Sequence, residues 1–173
     1  MKNYFSQTKI FNTISFVLLC SLSFASHAEQ VEITLNLPSI DVSPYHRPYV
    51  AVWLETADRK GVTTLAVWHE QEEWLRDMRQ WWRKLGRKNP QAYDAVTGAT
   101  RKPGTYTVRW NSKTESGNPI PPGDYLISVE AAREEGGRDY LRQTVTLGQN
   151  QKQHYTLKGK KELGSVEIRI LPD

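Results

Sequence analysis

Tyr49-Val-Ala-Val-Trp-Leu-Glu55, Asp58-Arg-Lys-Gly61 and Val62-Thr-Thr-Leu-Ala-Val-Trp68 decide the fold. Val50, Val52 and Leu54 fall on one face of an extended chain, and Ala51 and Trp53 fall on the other. A strand apolar on both sides belongs in the middle of a sheet rather than at its rim. Asp58–Gly61 is a turn, and Val62–Trp68 returns as the second arm of a hairpin. On the N-terminal side, Val31, Ile33, Leu35 and Leu37 alternate with polar neighbours, which predicts a half-buried strand. Pro38 to Pro48 holds three prolines and is a loop. On the C-terminal side, strand signals return at Thr105–Trp110, Tyr125–Ala131, Tyr140–Leu147, Gln153–Leu157 and Ser165–Ile170. Short strands divided by Gly/Pro turns predict an all-β protein, an Ig-like antiparallel β-sandwich.

One stretch changes period. Trp74, Leu75, Met78, Trp81, Trp82 and Leu85 recur at spacings of three and four, with Glu70, Glu72 and Glu73 ahead of Arg83 and Lys84. That order suits a helix dipole. A single inserted amphipathic helix is expected over about 70–86, ended by Gly86. Trp81 reads as core, whereas Trp82 lies nearer the edge of the stripe. Gly86–Gly104 then reads as an exposed irregular loop.

Residues 1–28 read as a cleavable signal peptide. Lys2 and Lys9 form a positive n-region, Ile14–Leu19 is the centre of an apolar run, and Ser26-His-Ala28 offers small residues for cleavage after Ala28. The run is too short to span a bilayer as a helix. Leu19 before Cys20 argues against a lipoprotein signal. The expected mature protein is a single domain, 29–173, exported to the periplasm with no membrane insertion after cleavage. Removing the signal takes away the only cysteine, so neither disulfide nor thiol chemistry is available to the mature chain. The formal charge of +4 falls to +2, because the signal holds two lysines and no acid. Interspersed charges of that balance give no case for nucleic acid.

Trp110-Asn-Ser-Lys-Thr-Glu-Ser-Gly-Asn-Pro-Ile-Pro-Pro-Gly123-Asp-Tyr125 resembles the closing hairpin of bacterial Ig-like domains, as in the flagellar hook-capping protein family. Gly123 permits a positive φ, and the Tyr125 hydroxyl can reach backbone. Over most of 30–170 the chain also resembles a predicted periplasmic family, domain-of-unknown-function family 2271. The segments that carry the likeness are Pro48-Tyr-Val-Ala-Val-Trp-Leu-Glu55, Trp81-Trp-Arg83, Asp94–Gly104 and Val129–Glu134. It implies an extracytoplasmic setting.

Asp94-Ala-Val-Thr-Gly-Ala-Thr100 carries the chemistry. It resembles the acceptor motif of covalently flavinylated proteins: Asp, two free positions, Ser or Thr, then Gly-Ala-Thr. All five specified positions match, on average residue usage a chance event on the order of one in a few thousand. The resemblance implies FMN on Thr100 through a phosphoester. A FAD:protein FMN transferase would attach it, recognising Asp94, Thr97, Gly98 and Ala99. A membrane redox protein is the implied electron partner. A threonine hydroxyl needs outside activation to act as a nucleophile, and the acceptor must be accessible. Arg101 and Lys102 are candidate counter-charges for the phosphate, and Trp82 is a candidate stacking face. A plainer reading makes 97–104 a turn with Gly98 in the left-handed region.

Elsewhere, Tyr45-His-Arg-Pro-Tyr49 reads as a ligand-lining loop or as tyrosines packed over a sheet edge. Glu130, Arg133, Glu134 and Glu135 read as a solvated hairpin rim. No nucleophile elbow, P-loop or dinucleotide fingerprint occurs. An electron carrier or a cofactor-free Ig-like binding module is therefore expected ahead of a catalyst.

Overall fold

The structure is a computed structural model describing residues 29–88 and 90–172. The expected signal peptide, 1–28, lies outside the described residues. Among the described residues, nine strands form two sheets: β1 (Gln30–Leu37), β2 (Tyr49–Thr56), β3 (Gly61–Trp68), β4 (Thr97–Gly98), β5 (Gly104–Trp110), β6 (Gly123–Ala132), β7 (Arg138–Leu147), β8 (Gln153–Lys158) and β9 (Ser165–Leu171). One sheet runs β5-β1-β9-β8 and the other β4-β3-β2-β6-β7. All pairings are antiparallel except β3 with β4. The protein is the all-β sandwich its alternation predicts, with eight expected strands in place to within a few residues.

The alternation explains the layers. Val31, Ile33 and Leu35 of β1 pair with Ile170, Ile168 and Val166 of β9, and all six point into the space between the sheets. Val50, Val52 and Leu54 face them from β2. Burying each such side chain is worth about 1.5–3 kcal/mol before entropy is charged against it. The other face of β2 carries Ala51 and Trp53, which meet Leu75, Met78 and Trp81 in a second cluster. Sheet β4-β3-β2-β6-β7 is thus the middle layer of three, and β2 is apolar on both sides for that reason.

The expected helix over 70–86 is helical but broken. A 3-10 turn spans Glu72–Asp77, a single α turn (α1) spans Arg79–Trp81, and Trp82–Gly86 widens to a π turn. Met78 leaves helical geometry at ψ 68°. The cause lies on β6. The Glu130 carboxylate is fully buried and accepts the Gln80 and Trp81 N–H groups at 3.0 Å, so the helix must restart beneath it. Gly86 is no C-cap. It sits under the indoles of Trp81 and Trp82, where a Cβ would meet ring carbons at 2.7–2.9 Å.

Two further expectations are corrected. β5 and β6 do not form a hairpin, because they lie in different sheets and 111–122 crosses between them. The charged rim is divided: Glu134 and Glu135 are exposed as expected, whereas Glu130 and the Arg133 side chain are internal. Glu130 pairs with Arg138, and the Arg133 side chain is 7% exposed against Glu162 at 3.0 Å. Tyr125 does reach backbone, donating to Pro121 O at 2.9 Å beside Gly123 at φ +152°. Tyr106 repeats the device, donating to Lys102 O at 2.8 Å beside Gly104 at φ +154°.

One pole of the sandwich is held by Asp139. Its Oδ2 accepts N–H bonds from Lys160, Lys161, Glu162 and Leu163 at 2.8–3.0 Å. Burial pushes the carboxyl up, and the four donors outweigh it, so it titrates below the ordinary carboxylate range. A depressed folded pKa stabilises above the unfolded value, about 3.9, and that stabilisation is lost as pH falls through the folded pKa. Asp139→Asn should therefore lower stability at pH 7 by about 1.5–3 kcal/mol. The gap to wild type should close as pH falls below about 4 in denaturant titrations.

Candidate functional site

The string Asp94–Thr100 lies on the rim of the middle sheet. Pro90–Val96 forms a 3-10 turn, and Thr97–Gly98 then runs parallel to β3, with Thr97 opposite Val67 and Gly98 opposite Trp68. The Thr97 hydroxyl donates to Tyr93 O at 2.9 Å, and the His69 N–H donates to Gly98 O at 2.9 Å. Tyr93 packs edge-on to Trp81 at 5.0 Å, which anchors the turn to the second core. Burial, with Glu72 and Asp94 adding to it, raises the Tyr93 phenol above its ordinary pKa.

Asp94, Ala95, Thr97 and Ala99 are exposed, and Val96 and Gly98 half-buried. Thr100 is not on an open loop: it is 6% exposed. Among the described residues its hydroxyl has no hydrogen-bond partner, and it is not sealed either. Among the described residues, the one side-chain polar atom both sealed and unpartnered is His69 Nδ1. The Thr100 oxygen thus keeps a narrow opening to solvent.

Gly98 does not have the left-handed φ of a turn glycine. A Cβ built on it meets Trp68 at 3.5 Å and the Arg101 guanidinium at 3.7 Å, which are ordinary contacts. The turn reading of this glycine is overturned, and the fold has no need of a glycine there. Arg101 lies over the ring of Trp68 at 5.3 Å and over Tyr106 at 5.8 Å, so its cation is parked beside the string. Trp82 is half-buried next to Trp81 and Gly86. Its segment runs away from Thr100, since Lys84 two residues on reaches Glu55 and Arg59 O at the opposite pole.

Two hollows of 450 Å³ each open on this part of the molecule, and the first of them touches the string. A cleft beside its upstream half is lined by Thr63, Leu65, Ala95, Val96, Arg109 and Trp110. A bowl beyond its downstream end is lined by Tyr45, His46, Arg47, Tyr49, Glu70 and Trp74, among others. The bowl is well braced. Tyr49 Oη accepts the Gln71 N–H at 3.1 Å, Trp74 Nε1 donates to Gln71 at 3.1 Å, and His46 Nδ1 is 3.3 Å from Glu134. Burial raises the Tyr45 phenol above its ordinary pKa, against the pull of Arg133, and Tyr106 lies within its electrostatic reach. The Tyr45–Tyr49 loop therefore lines a hollow. Sequence reading missed Trp74 as a lining residue, because its helical spacing marks it only as part of an apolar stripe.

The family described as "Predicted periplasmic protein (DUF2271)" matches residues 30–165. The chain belongs to that family. The match takes in every element of the site: the 45–49 loop, the helical layer and Asp94–Thr100. No curated protein and no solved structure matches this DUF2271 chain. Among the described residues no helix is long and apolar enough to cross a membrane.

The residues fit a group that is anionic at one end and aromatic at the other. Arg101 and Lys102 are exposed cations beside Thr100. His69 Nδ1 is a buried polar atom without a partner on the residue that holds Gly98. The bowl supplies aromatic faces.

Proposed function

We propose that this exported periplasmic protein carries FMN on Thr100 and serves as an electron carrier. A FAD:protein FMN transferase would supply the group. The Thr100 oxygen attacks the FMN phosphorus of FAD, the pyrophosphate bond breaks, AMP leaves with the bonding electrons, and the hydroxyl proton passes to a base of the transferase. Thr100 would hold the flavin by its phosphate, and the bound group would supply reversible two-electron chemistry between a membrane redox protein and an acceptor.

Gly98 is the observation that carries this reading. It is a specified position of the acceptor string, and neither its backbone conformation nor its surroundings require a glycine. A requirement for glycine here would come from outside the fold, from an enzyme that approaches this backbone. Thr100 at 6% exposure sets a condition. The edge must open for the transferase to engage it. Two residue pairings and two further hydrogen bonds hold β4, so peeling it costs about 2–4 kcal/mol. That cost leaves an open population on the order of one in thirty to one in a thousand for an enzyme to capture.

The same burial favours a second reading, a cofactor-free Ig-like binding module that acts through its loops. One measurement separates the two. Co-expressed with an active transferase in a periplasm, the protein should gain the mass of FMN, and Thr100→Ala should not. An unmodified wild-type mass beside a modified control substrate leaves the binding module alone.

A further inference from the structure

We infer that the bowl lined by Tyr45, His46, Arg47, Tyr49, Glu70 and Trp74 is the seat of the flavin ring. This rests on Thr100 as the acceptor, and strand direction then chooses between the two hollows. β4 runs parallel to β3 and leaves it at Gly98, opposite Trp68. Both chains are heading toward the same pole. Glu70 of the bowl lies two residues past Trp68, and Thr100 lies two residues past Gly98. Each step spans at most about 7 Å of extended chain. The Thr63–Trp110 cleft lies behind, alongside Ala95 and Val96 and toward the other end of β3. A group tethered at Thr100 therefore reaches forward into the bowl.

The neighbourhood is continuous. Thr100 is followed by Arg101, whose guanidinium covers Tyr106, and Tyr106 lies within the field of Tyr45 at the bowl wall. Inside the bowl, Tyr45, Tyr49 and Trp74 are half-buried aromatics that can offer faces to a flat ring. Arg47 is exposed at its lip. A cation there stabilises the negative charge that reduction places on the pyrimidine end of a flavin, and so favours the reduced state. Arg47 is in this sense a residue that tunes the site rather than one that builds it.

The test uses the full flavinylated protein and separates this inference from the one beneath it. Intact mass reports loading. Flavin fluorescence and visible circular dichroism report where the ring sits, and dye equilibration reports its midpoint potential. With loading intact, Trp74→Ala should raise flavin fluorescence several-fold and alter the ring's dichroism. Trp110→Ala, in the other hollow, should do neither. Arg47→Glu changes an exposed side chain, leaves the fold alone and should lower the potential. If Trp110→Ala gives the fluorescence change and Trp74→Ala does not, the seat is the cleft and the bowl is wrong while Thr100 stands. If neither tryptophan matters and Arg47→Glu leaves the potential unmoved, the ring is undocked and the inference fails. If wild type takes no FMN, the acceptor reading fails and takes the bowl with it.

Discussion

Glu130→Ala should cost about 3–5 kcal/mol, a large part of the 5–15 kcal/mol that holds a domain of this size together. The carboxylate is fully buried and accepts three ways: Gln80 N–H at 3.0 Å, Trp81 N–H at 3.0 Å, and an ion pair with Arg138. Removing it leaves two N–H groups at the start of α1 without partners, each costing about 1–3 kcal/mol. Arg138 loses less, because its side chain is 34% exposed and water can replace the carboxylate. Glu130→Gln keeps one carbonyl acceptor and should recover roughly half of the loss. Urea denaturation followed by tryptophan fluorescence checks both, since Trp81 sits on the affected turn. By contrast, Glu32→Ala removes the exposed Arg109 and Arg169 pairs and should cost under about 1 kcal/mol. Equal losses for the two glutamates would mean that Glu130 does not hold the helical layer.

The same residue illustrates what could be read along the chain and what could not. β1 and β2 were legible, because alternation needs only near neighbours and each face meets one environment. The break at Met78 was not. Its cause, Glu130, lies 50 residues from Gln80, and a glutamate near a run of charges gives no sign of burial. β4 was invisible because two residues carry no period, and Thr97-Gly98 has little strand propensity without β3 beside it. The acceptor string was legible as a string, whereas the burial of Thr100 was set by packing that no local pattern reports. The bowl draws its walls from residues 45–49, Glu70 and Gln71 past the end of β3, Trp74 of the helical layer and Glu134, so no single stretch announces it. The corner tyrosine was legible at Pro122-Gly-Asp-Tyr125 and missed at Pro103-Gly-Thr-Tyr106, where the same device opens a second strand.

Gly98→Ala and Gly86→Ala should behave as opposites, and the contrast bears on function more directly than either alone. At Gly98 an added methyl meets Trp68 at 3.5 Å and Arg101 at 3.7 Å, both ordinary contacts, and no positive φ has to be held. Its stability should stay within about 0.5–1 kcal/mol of wild type, since reduced freedom of the unfolded chain offsets the new contacts. At Gly86 the methyl would meet the Trp81 and Trp82 rings at 2.7–2.9 Å, and Trp81 is fully enclosed with nowhere to retreat. Overpacking of that kind costs about 1–3 kcal/mol. FMN loading should order the two the other way. A transferase that closes on the backbone of the acceptor string meets the new methyl of Gly98→Ala, so the loaded fraction should fall by a factor of ten or more. Gly86→Ala lies outside the string and should load like wild type once folded. Thermal melts and intact masses of the two variants, made beside an active transferase, give all four values. Full loading of Gly98→Ala would leave Thr100 as the acceptor and overturn Gly98 as the point where the transferase closes on the backbone.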